Sequence, residues 1–150
     1  MWDKSKNIND CNIWHPKKIA IINNKNLNHR SIIIHRGGVY YVDLGCNIGG
    51  EKEKLRPCLV ISKNILNAGH TVVVIPLSSK FDKHPSKNRP RYNNEYMLTK
   101  VKYTQLDKDS IVSFTDIRSV DKSRIGNKMF DVNEYDLKNM LTNLKFTYGF

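Results

Sequence analysis

A mainly β domain ending in one α-helix is what this chain of 150 residues predicts. Short runs rich in Val, Ile and Tyr recur between turns bearing Gly, Asn and Lys, which is the spacing of small barrels and sandwiches. Only the last stretch changes period, with Leu137, Met140, Leu141 and Leu144 falling on one helical face. The length allows one real core and is too short for separate nucleotide-binding and substrate domains.

Residues 1–35 stand apart from the rest. They are rich in Asn and Lys, with brief apolar runs at 19–22 and 32–34, and fit a disordered arm, an added strand or a short helix alike. The domain proper is expected over 36–150. GVYYVDL (38–44) reads as a strand, a glycine-bearing loop spans 45–55, and CLVIS (58–62) reads as the next strand. After a turn at 63–70, the β-branched run 71–77 reads as a buried strand. The basic, proline-bearing segment 79–96 reads as a long exposed loop, the kind that in compact domains carries function or moves. Residues 95–99 and 110–121 supply further strand-like pieces. Asn133 is the expected N-cap of the final helix, with Val132 and Leu137 spaced as a hydrophobic staple, so that one helix packs on the barrel or sandwich.

With 25 Lys and Arg against 14 Asp and Glu, the formal charge is +11. Such a surplus raises the local concentration of a polyanion without choosing its sequence; a composition biased toward Lys, Asn and Ile would also produce it. Cys11, Cys46 and Cys58 are odd in number and form no CxxC pair, so neither a disulfide framework nor a zinc site is expected, and Cys58 reads as a small core residue. No apolar stretch approaches the roughly 20 residues of a membrane span. A cytoplasmic protein without a membrane segment is the expectation.

Arg56 opens one strand-like run, while Ser78 and Ser79 close the next. A fixed cation and two hydroxyls can therefore meet at one sheet edge, which suits a phosphate whose charge grows in a transition state. Taken singly, each has a plainer reading: Arg56 as a strand-start cation paired with an acid, the serines as strand terminators.

Four blocks in order, RGGVYYVDLG (36–45), GGEKEKLRPCLVIS (49–62), VIPLSSK (74–80) and DSIVSFTDIRSVDK (109–122), resemble the MazF/PemK toxin family over roughly residues 36–150. The resemblance implies a MazF/PemK/CcdB-like toxin fold, an SH3-like small barrel. It also implies a homodimeric endoribonuclease that cuts single-stranded RNA with no metal or cofactor and is silenced by an acidic antitoxin protein. Carried over by position, Glu51 stands at the acidic residue of the first loop, Arg56 at the catalytic arginine and Ser78 at the catalytic threonine. Gly50 replaces a histidine found in one plasmid-borne branch. Ser113 and Thr115 fall where that branch places an arginine and an aspartate, which puts that acid and base pair in doubt here. Lys52 and Lys54 replace small or amide residues of the loop.

The chemistry can be argued on its own terms. The 2′-hydroxyl must lose a proton and attack phosphorus in line, leaving a phosphorane that needs its charge stabilised. Arginine supplies a bidentate fork of fixed charge, and Ser78 can donate to a nonbridging oxygen. Because an arginine side chain keeps its charge in proteins, Arg56 suits charge stabilisation or protonation of the leaving 5′ oxygen better than proton abstraction. For the 2′ proton Glu51 is the carboxylate at hand, although a solvated or structural loop glutamate reads equally well. Lys52, Lys54, Ser79, Lys80, Lys83, Lys87 and Arg118 are the expected RNA contacts, and no Asp, Glu or His cluster has metal-ligand spacing. Two other functions share the architecture: a toxin that poisons DNA gyrase, and an RNA-binding barrel without catalysis.

Overall fold

The computed structural model describes residues 3–24 and 31–150. Its elements are helix α1 (Lys4–Asn23), strands β1 (Gly38–Asp43), β2 (Leu55–Val60), β3 (Thr71–Ser78), β4 (Glu95–Leu98), β5 (Ser110–Ser113), β6 (Arg118–Asp121) and β7 (Ile125–Asp131), and helix α2 (Glu134–Tyr148). The strands pair antiparallel in the order β4-β5-β3-β2-β1-β7, with β6 also on β3. This is a mainly β fold whose barrel-like sheet is left open between β4 and β7.

Alternation along the central strands places residues on two faces. Val39, Leu59, Ile75 and Leu77 join Val112, Phe114, Phe130 and Met140 in the core beneath α2. Tyr40, Val42, Cys58, Val60, Val72 and Val74 face the other way, with Ile34, Leu44 and Val120. Because both faces are covered, the runs at 58–61 and 72–77 are apolar throughout instead of alternating. On one side β3 serves two partners: Thr71–Val74 pairs with β6, and Leu77 and Ser78 pair with β5. Pro76, which has no amide donor, falls in the changeover between them.

The expected C-terminal helix forms as α2. Asn133 caps it by accepting from the Asp136 amide at 2.8 Å, Met140 is fully buried, and Gly149 ends it at φ 77 with its amide on the Lys145 carbonyl. Strand β7 is not expected from the sequence. Its run GNKMFD is largely exposed and carries Gly126 and Lys128, so only pairing with β1 makes it a strand.

Of the three readings open for the N-terminal residues, the structure takes the helix. Asp3 caps α1 through the amides of Ser5 and Lys6, and Pro16 lies within it. His29, assigned to the extension by sequence, lies outside the described residues. The expectation of unpaired cysteines is corrected: Cys11 on α1 is bonded to Cys46 in the β1–β2 loop, with Cα atoms 5.2 Å apart. Spacing could not reveal this pair, because its halves lie 35 residues apart and meet only after α1 docks. At the contact, Gly45 adopts φ 76, and a Cβ there would lie 2.6 Å from the Trp14 indole. Cys58 is the buried core thiol expected, pushed up to about 12 by burial and so inert.

Candidate active site

Register builds the site. Strands β2 and β3 pair Cys58 with Pro76 and Leu59 with Ile75; two residues beyond that pairing, Arg56 and Ser78 stand at the same end of the two strands. On the flank of Arg56, β1 contributes Val42 as its partner and Tyr41 as the partner of Pro57. On the flank of Ser78, β5 contributes Ile111.

Arg56, Ser78, Ser79 and Lys80 line one open groove of about 540 Å³, together with Tyr41, Lys108 and Met129. The Arg56 Nε donates to the Glu53 carbonyl at 2.8 Å, which aims the guanidinium from its stem. Its terminal nitrogens meet no carboxylate within ion-pair distance among the described residues, so the fork is available to an anion. The Ser78 hydroxyl donates to the Lys80 carbonyl at 3.1 Å and can rotate toward a ligand in the groove. A fixed cation, a rotatable donor and two further lysines therefore share one concave surface.

Other expected site residues lie elsewhere. Glu51, Lys52 and Arg118 line a second groove of about 420 Å³ with Thr115 and Asp116. There Lys52 sits 3.9 Å from Asp116, and the Ser113 and Thr115 hydroxyls are 3.0 Å apart. The Glu51 carboxylate accepts from the Ile48 amide at 3.3 Å, closing its own loop turn. Lys54 is turned away, its ammonium 2.8 Å from Asp10 of α1, and its pKa is raised chiefly by that contact. In the long loop, Lys83 reaches Asp109 at 3.7 Å while Lys87 is exposed. Among the described residues no group of three His, Cys, Asp or Glu side chains is placed to hold a metal ion, and no helix is long and apolar enough to cross a membrane.

Tyr41, Lys108 and Met129 escape the sequence reading of the groove. Tyr41 was legible in principle, since alternation in GVYYVDL sends it opposite to the buried Tyr40. Lys108 and Met129 become neighbours of Arg56 only through the pairing of β5 on β3 and β7 on β1.

A two-faced antiparallel sheet under a C-terminal helix, with a cation and a hydroxyl lining one groove at the end of its central strands, is the frame of a small toxin fold. Residues 35–147 match the family described as PemK-like, MazF-like toxin of type II toxin-antitoxin system, and the chain belongs to that family. A relative named Endoribonuclease MazF, from Staphylococcus saprophyticus, is 27% identical over 118 residues, covering 78% of this chain and 92% of its own. The fold is shared with MazF (Form-I) from Deinococcus radiodurans at TM-score 0.64 and 20% identity, over 80% of this chain and all of that one. It is shared as well with an endoribonuclease solved in complex with its cognate antitoxin from a mycobacterial species, at TM-score 0.59 and 21% identity, over 77% and 95% of the two chains.

Proposed function

We propose that this toxin is an endoribonuclease that cuts single-stranded RNA by attack of a 2′-hydroxyl on the adjacent phosphorus, without a metal. The observation that carries the reading is that Arg56 and Ser78 line one groove, with no carboxylate within ion-pair distance of the Arg56 fork among the described residues. Membership of the toxin family and the endoribonuclease name of the Staphylococcus saprophyticus relative support it.

In this reading the Arg56 fork grips two oxygens of the scissile phosphate and stabilises the phosphorane, where fixed charge counts more than in the ground state. Ser78 leaves the Lys80 carbonyl and donates to a nonbridging oxygen. Glu51 is assigned the 2′ proton; it reaches the groove when its loop gives up the turn held through Ile48. Ser79, Lys80, Lys83 and Lys87 contact backbone phosphates along the strand, and Lys52 and Arg118 do so where the RNA passes the second groove, with Lys54 joining them only when Asp10 releases its ammonium. Residues 36–150 form the toxin domain and 1–35 an extension to it. The active form is a homodimer, and its inhibitor is an acidic antitoxin segment laid across the same basic groove, a reading supported by the solved relative bound to its antitoxin.

The test is a cleavage assay on a long unstructured RNA, with the ends of the fragments identified by mass spectrometry. Cyclic 2′,3′-phosphate termini that vanish in Arg56→Ala are the expected result. Binding of RNA without any cleavage would leave the non-catalytic barrel standing, and neither binding nor cleavage would favour a toxin with a protein target.

A further inference from the structure

Helix α1 precedes the span matched by the toxin family, yet it is fastened to the loop that leads into Arg56. The fastening is covalent at one point and polar at others. Cys11 is bonded to Cys46, the Asn7 side chain donates to the Asn47 carbonyl at 3.0 Å, and Asp10 meets Lys54 at 2.8 Å. Both limbs of the β1–β2 loop are thereby held from one helix.

From the staple a continuous path runs to the site. The Asn47 amide donates to the Glu53 carboxylate at 3.4 Å, and the Asn47 side chain donates to the Leu44 and Lys52 carbonyls at 3.3 and 2.6 Å. The Glu53 carbonyl then receives Arg56 Nε at 2.8 Å. Meanwhile α1 has no buried side chain of its own. A helix that buries so little is poorly held by packing, and exposed polar contacts are individually weak. The covalent link keeps them in register.

We propose that the Cys11–Cys46 disulfide is a redox-controlled staple through which α1 orders the β1–β2 loop and positions Arg56, so that RNA cleavage is faster with the pair oxidised than reduced. The proposal rests on the reading of Arg56 given above. Cys11 lies on an exposed helix surface, open to attack by a thiolate. With a dithiol reductant, one thiolate breaks the Sγ–Sγ bond and forms a mixed disulfide, which the second thiol resolves. Two electrons and two protons end on Cys11 and Cys46, and the reductant leaves as its own disulfide. Where thiols are kept reduced, such a pair closes only under oxidation, which is the behaviour of a sensor rather than of a structural bridge. Cys46, Asn47 and Glu53 are here positioning residues, acting on RNA only through Arg56.

The experiment uses the full chain in oxidised and dithiothreitol-reduced form, with the thiol state verified by mass spectrometry. Single-turnover cleavage at saturating RNA is measured beside hydrogen exchange of residues 44–54. Reduction is expected to lower the cleavage rate roughly tenfold, as loosened positioning does, with RNA affinity little changed, faster exchange in the loop and full recovery on reoxidation. Cys11→Ser should show the reduced rate with or without dithiothreitol. Equal rates in verified oxidised and reduced protein, a faster reduced form, or Cys11 and Cys46 both still free beside Cys58 after mild oxidation would each overturn the staple. The Arg56→Ala variant separates the two claims. Wild-type cleavage by that variant would sink the reading of the site, whereas its inactivity beside redox-insensitive wild type would sink only the staple.

Discussion

Tyr103 donates its hydroxyl to Asp136 while accepting the Asn133 amide at 3.1 Å, so one phenol joins the cap of α2 to the carboxylate one turn inside it. Tyr96 and Lys102 complete the shell around Asp136, both at 2.7 Å. The helix is thus fastened to the sheet by a buried charge as well as by Met140.

Burial pushes the Asp136 carboxyl up, but Lys102, Tyr103 and Tyr96 outweigh it and hold the group below its ordinary value. A folded pKa lower than the unfolded one stabilises the protein at pH above the unfolded value, near 3.9, and that contribution is lost as pH falls through the folded value. Asp136→Asn should therefore lower the unfolding free energy by roughly 2–3 kcal/mol at pH 7. Urea titrations should show the gap narrowing below about pH 4. A constant gap down to pH 2 would mean that packing, not charge, is what the substitution disturbs.

Arg56→Ala should reduce RNA cleavage by about 100-fold or more while changing stability by less than about 0.5 kcal/mol, because a half-exposed guanidinium with one backbone contact contributes little to folding. The two readouts are single-turnover cleavage and chemical denaturation on the same preparation. Activity within a few-fold of wild type would remove Arg56 from the site. The wild-type rate should be the same with and without EDTA.

Ser78→Ala removes one neutral donor and leaves the guanidinium in place. A loss of roughly tenfold, smaller than that of Arg56→Ala, is expected, and Ser78→Thr should restore most of it by returning the hydroxyl. If Thr is as slow as Ala, the hydroxyl is not what the site uses.

Replacing Lys80, Lys83 and Lys87 by Gln should weaken binding to all RNA sequences alike and flatten the slope of log affinity against log salt by about 0.7 per lost contact. Lys54→Gln should have a smaller effect while Asp10 holds that ammonium. An altered cut-site preference at unchanged salt slope would show that the loop reads bases.

Much of the sheet was open to reading because 58–61 and 72–77 are unbroken apolar runs and 38–44 is rich in Val and Tyr, and α2 announced itself through Asn133 and its leucine spacing. That Arg56 and Ser78 line one groove follows from their places at the ends of adjacent runs. What stayed hidden depends on distant contacts. Strand β7 owes its conformation to β1, Lys108 reaches the groove through β5, and Cys11 finds Cys46 only once α1 lies on Gly45. Glu51 was legible only as a loop carboxylate five residues before Arg56; its place on the second groove, with its carboxylate on the Ile48 amide, is set by a loop turn that sequence spacing does not show.

Ser78 is held in place by Ile111, and the strand facing Arg56 is flanked in turn by residues near position 128. Arg56 and Ser78 lie close together in sequence, but the walls of the groove they line arrive last from the ribosome. A chain stopped before residue 110 would carry Arg56 and Ser78 and still lack the groove, so it should be inert toward RNA in a cell-free assay of stalled chains. In a member of a toxin family, this order of synthesis delays the groove until nearly the whole molecule exists.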